Sequence, residues 1–90
     1  MNKTDVLKLK AGEWIELWFI DAPNEVVLLL EQPQRNPGTV FLQCAYFTKK
    51  GQIEKIYNHT DHSQVVRSWG MIKPPDISSS KEYQKSKSKI

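Results

Sequence analysis

Residues 13–20 read EWIELWFI. Alternate side chains of an extended chain point to opposite faces. Glu13, Ile15, Leu17 and Phe19 therefore share one side, and Trp14, Glu16, Trp18 and Ile20 the other. The stretch is rich in Ile, Trp and Phe and has no Gly or Pro, which predicts a strand. A strand of a small domain ordinarily keeps one wet face, yet both faces here are apolar. One of them supplies the core. The other raises the question of whether Trp14 and Trp18 help close a barrel or form a surface for a partner.

Outward from this strand, the punctuation is clear. APN at 22–24 predicts a turn, because Pro23 presets φ and Asn24 tolerates the left-handed region. EVVLLLEQ at 25–32 predicts a second strand that is apolar on both faces in its middle, as a central or barrel strand is. NPGT at 36–39 fits a type II turn, with Pro37 at i+1 and Gly38 supplying positive φ at i+2. TVFLQCAYFT at 39–48 is the third strand, KKGQ at 49–52 a Gly-containing hairpin loop, and QIEKIYN at 52–58 the fourth strand. In HTDHSQVVRS, Thr60 or Asp61 is placed to cap one helical turn, with Val65 and Val66 facing inward. WGMIK at 69–73 then makes a short last strand, ended by Pro74–Pro75. Before the opening stretch, residues 1–11 read as a polar start followed by the alternation VLKLK, from which Val6 and Leu9 are offered to the core.

Four longer strands, one helical turn and a short closing strand predict a mostly β fold. Its expected form is a small five-stranded antiparallel barrel with the element order of the SH3-like class. An open antiparallel sheet covered by one helix is the second reading of the same elements. Ninety residues suffice for one domain, expected at 1–75. Residues 76–90, with Lys81, Lys85, Lys87 and Lys89 among serines, have little to bury and predict a disordered tail.

The single cysteine, Cys44, lies in an apolar run and excludes an internal disulfide. That usage, with no apolar leader in MNKTDVLKLKAGEW and no run long enough to span a bilayer, leads us to expect a soluble cytoplasmic protein without membrane contact. No nucleophile elbow, phosphate loop or paired catalytic carboxylates occur in the sequence, so no enzyme, catalytic residue or cofactor is expected. His59, Asp61 and His62 in NHTDHS fall short of the three or four ligands that a transition metal takes, and a capped polar turn is expected there rather than a metal site.

Two binding chemistries remain. Trp14, Glu16 and Trp18, with Trp69, offer aromatic side chains and a carboxylate on one face. This suits a protein partner bearing an apolar side chain and a cation, and Glu16 would repel a phosphate backbone there. The charge distribution agrees: residues 1–34 carry three lysines against six acids, whereas residues 35–75 carry six basic groups against two. A non-enzymatic interaction module is the leading expectation, of the kind found as a small accessory subunit or a phage- or plasmid-type accessory protein. The alternative is a nucleic-acid-binding barrel whose groove uses Arg35, Lys49, Lys50, Lys55, Arg67 and Lys73 among Tyr46, Phe47 and Tyr57. A homodimer joined by edge strands is a further partner in view.

Overall fold

EWIELWFI forms the strand β1 (Trp14–Phe19), which is paired on both sides. In this computed structural model, which describes residues 1–74, β1 runs antiparallel to β2 (Ala22–Leu29) and to β6 (Val65–Gly70). The tail expected at 76–90 lies outside the described residues, as does Pro75. Both ladders of β1 are irregular. The register with β2 shifts between Leu17 and Phe19, and the register with β6 shifts on either side of the Ile15–Glu16 pair. Such bulges bend and twist a strand, which lets this sheet curl.

The β1–β2 connection corrects one expectation. Residues 20 and 21 make the turn, so Ala22, Pro23 and Asn24 lie in β2 instead of forming the turn themselves. Pro23 is tolerated because it sits at the strand's start and within the bulge, where Pro23 and Asn24 together face Trp18.

β2 continues into the short strand β3 (Gln34–Asn36). Both pair with β4 (Thr39–Phe47), β2 through Leu28↔Ala45 and Leu29↔Cys44, β3 through Gln34↔Phe41 to Asn36↔Thr39. Between these pairings the β2–β3 side gains two residues at the buried Pro33, so the two strands are halves of one bent arm. The expected Pro37–Gly38 turn closes that hairpin, with Gly38 at φ +81° as position i+2 requires. The loop after β4 turns at Gly51, φ +85°, into β5 (Ile53–His59). A 3₁₀ turn, η1 (His62–Gln64), follows. Asp61 caps it by accepting from Ser63 N at 2.9 Å. β6 then begins at Val65, four residues earlier than the expected strand at 69–73, because Val65 pairs with Leu17.

Counting β2 and β3 as one arm, five antiparallel arms curl into a half-barrel, with the 3₁₀ turn before the last strand. Among the described residues β5 and β6 do not pair, so the barrel is open between them. Ile15, Leu17, Val27, Leu29, Val40, Leu42, Cys44, Tyr46 and Val65 fill the concave side. Val6, from a helix, and Leu9, just past its end, complete this core in place of an alternating strand. α1 spans Lys3–Leu7, and the Asn2 side chain caps it by accepting from Asp5 N at 2.8 Å.

Candidate functional site

The two faces of β1 differ sharply. Ile15 and Leu17 are wholly buried in the concave core. On the convex face Trp18, at the β1–β2 bulge, is 51% exposed. Glu16, only 6% exposed, is surrounded by donors. Its Oε2 accepts from Asn24 Nδ2 at 2.8 Å, its Oε1 accepts from Trp69 Nε1 at 3.3 Å, and Arg67 Nε lies 3.4 Å from Oε1. The Arg67 guanidinium also sits 5.5 Å from the Trp69 ring centre. Glu16 is thus engaged by its own chain and does not face a partner's cation. It fixes Trp69 and Asn24 on the face that carries Trp18. Trp14 packs against Phe47 with ring centres 5.3 Å apart, and the Lys73 ammonium lies over both rings. The four residues read from the sequence as a protein-facing patch do share this face, with Trp18 the most exposed of the three tryptophans.

The six basic residues of the nucleic-acid alternative do not converge. Arg35 pairs with Val40 at one end of β4, whereas Lys49 and Lys50 follow its other end. Seven residues of strand separate Val40 from Phe47, roughly 23 Å at about 3.3 Å per residue. Lys55 lies on the concave side over the Tyr46 ring, 4.7 Å from its centre, while Arg67 and Lys73 are held on the convex side.

A second arrangement was not anticipated. Phe19, Tyr46, Lys55, Tyr57, His59 and Gln64 line a cleft of about 320 Å³ at the open side of the half-barrel. His59 is buried at its base, hydrogen-bonded through Nε2 to the Tyr46 hydroxyl and surrounded by the Tyr57, Tyr46 and Phe19 rings with centres 4.8, 5.9 and 6.0 Å away. The only local signal was Lys55, Tyr57 and His59 at alternate positions of β5, because the other members come from β1, β4 and η1. Burial pushes the Tyr46 phenol up and the Cys44 thiol up to about 12, which leaves both protonated at neutral pH. Among the described residues no group of three His, Cys, Asp or Glu side chains is placed to hold a metal.

Burial also holds His59 below the usual imidazole range. A hydrogen bond with Gln64 opposes the shift and the Lys55 charge adds to it. The unfolded chain therefore takes up this proton more readily, and stability present above about pH 6.5 is lost as pH falls through the folded value. The midpoint of thermal unfolding is expected to fall between about pH 7.5 and 5.5, and His59→Gln is expected to flatten that fall. Burial raises the Glu25 carboxyl, which acts in the opposite sense and at lower pH, so the informative quantity is wild type minus variant. An unchanged slope in His59→Gln would place the proton elsewhere.

No protein-family model matches the chain, and neither a curated protein nor a solved structure matches it. No helix among the described residues is long and apolar enough to cross a membrane.

Proposed function

We propose that this chain is a non-enzymatic interaction module that binds another protein through the convex face of β1 and β6. Trp18 is the central contact, with Trp69 and Arg67 on the same face. The observation that carries this reading is the exposure of Trp18 on a strand paired along both edges. A large aromatic on such a strand loses little further freedom when it docks, which is the usual character of an interface hot spot. The Glu16 network supports it from below by fixing Asn24 and Trp69. A cytoplasmic setting belongs to the same proposal and rests on the chain's one cysteine being buried and unpaired. The separation of Arg35 from Lys49 and Lys50 counts against a continuous basic groove.

The test is affinity capture on immobilised protein, identification of the bound polypeptide, and re-binding of that polypeptide after purification. Trp18→Ala is expected to weaken the reconstituted complex by two orders of magnitude or more, as hot-spot truncation at about 3 kcal/mol implies. Lys49→Glu with Lys50→Glu is expected to leave it unchanged. The reverse pattern, with oligonucleotide binding that falls steeply as salt rises, would replace this reading with the nucleic-acid one.

A further inference from the structure

The strand β5 is exposed along six of its seven residues, and only His59 is buried. Ile53, Ile56 and Tyr57 are 56%, 55% and 54% exposed, and they are distributed over both faces of the strand. One side of β5 pairs with β4; among the described residues nothing pairs with the other. Natural edge strands are usually guarded by Pro, by a bulge, or by a charge projecting where a second strand would dock. No Pro occurs between Ile53 and His59, the one lysine, Lys55, lies against the Tyr46 ring, and the one bulge, at Glu54, sits near the strand's start and leaves Lys55–His59 regularly paired with β4.

The outer face adds a second observation. Trp14 pairs with Leu28, Leu28 with Ala45, and Ala45 with Ile56, so these four apolar residues form one row across the sheet that ends at the open edge. We propose that the protein self-associates by antiparallel pairing of β5 with β5 of a second copy, about a two-fold axis at Ile56.

The register follows from the side chains. A two-fold axis normal to the sheet pairs residues of like face. An axis at Glu54 or Lys55 sets each of these charges directly against itself, which is unfavourable. An axis at Tyr57 places Ile56 against Asn58, which ends the apolar row at a polar side chain. The axis at Ile56 sets Ile56 on Ile56 and Lys55 opposite Tyr57 and brings Asn58 to the bulge at Glu54, with no like charges opposed. It also carries the Trp14–Leu28–Ala45–Ile56 row straight into its copy. The occupant that continues the apolar row without opposing like charges is this chain itself.

This inference does not rest on the Trp18 reading, and the experiment separates them. Sedimentation of the full chain across a dilution series is expected to show a monomer–dimer equilibrium. Ile56→Lys is expected to shift it to monomer without lowering the thermal midpoint, and Trp18→Ala to leave it intact. Residues opposed on antiparallel strands have Cα atoms about 4.5–5.5 Å apart, within the range a disulfide spans. Mild oxidation of Ile56→Cys is therefore expected to give a covalent dimer far faster than oxidation of Ile53→Cys, while buried Cys44 gives none in the parent chain. A chain that stays monomeric at every concentration overturns the proposal. So does a dimer indifferent to Ile56→Lys, or one in which the two cysteine variants couple equally.

Discussion

Leu17→Ala is expected to lower the unfolding free energy by about 3 kcal/mol, and Trp18→Ala, one residue further on, by about 1 kcal/mol or less. Leu17 is wholly buried and belongs to the concave core with Ile15, Val27, Leu29 and Val65. Truncation removes three carbons of burial and leaves a hole that a rigid sheet paired on both sides closes poorly. A domain of this size has about 5 kcal/mol to lose, so the leucine variant sits near the limit of folding. Trp18 is the larger side chain, yet half of it is already in water. Urea unfolding followed by circular dichroism checks both, with the midpoint moving and the slope constant. Equal losses for the two would mean that Trp18 is a core residue, and the proposed contact face would lose its centre.

That contrast answers the question posed by EWIELWFI, and it shows which parts of the molecule were legible. β1 and β4 were readable because their patterns are long and uninterrupted, and the Pro37–Gly38 and Asp61 turns because their chemistry is local. Pro23–Asn24 misled because a bulge, set by the pairing of β1 with β2, removes the penalty that local rules assign to proline in a strand. α1 was overlooked although its signals are present: Asn2 as cap, Asp5 in the first turn, and Val6 turned to the core. Five residues are too few for a periodic pattern to outweigh the apparent alternation of VLKLK.

Site residues divided along the same line. Alternation alone placed Trp14, Glu16 and Trp18 on one face. It had no means of showing that Asn24, Arg67 and Trp69, from β2 and β6, close over Glu16. The aromatic cleft around His59 draws on three strands and a turn, so no local pattern announces it. The basic groove failed to assemble for a matching reason. Cations near aromatics in sequence are separated in space once β4 runs its full length between Arg35 and Lys49.

The Glu16 network allows the last distinction. Glu16→Ala is expected to cost about 3 kcal/mol, and Arg67→Ala less than about 1 kcal/mol. Arg67 is 58% exposed, so solvent screens its attraction and an ion pair of that kind contributes little. The larger loss comes from Asn24 Nδ2 and Trp69 Nε1, part-buried donors that would be left without an acceptor. High salt should accordingly leave the wild-type midpoint nearly unmoved. Glu16→Gln is expected to cost only about 1 kcal/mol. Its remaining oxygen can face Trp69 and Arg67 while its amide nitrogen faces Asn24, whose own amide can flip to present oxygen. If Arg67→Ala proved as damaging as Glu16→Ala, the charge would be the stabilising element and the hydrogen-bond account would fail. Binding should follow the same order. Glu16→Gln keeps Trp69 in place on the contact face and retains the partner, whereas Glu16→Ala frees the indole and weakens the complex even where the sheet remains folded.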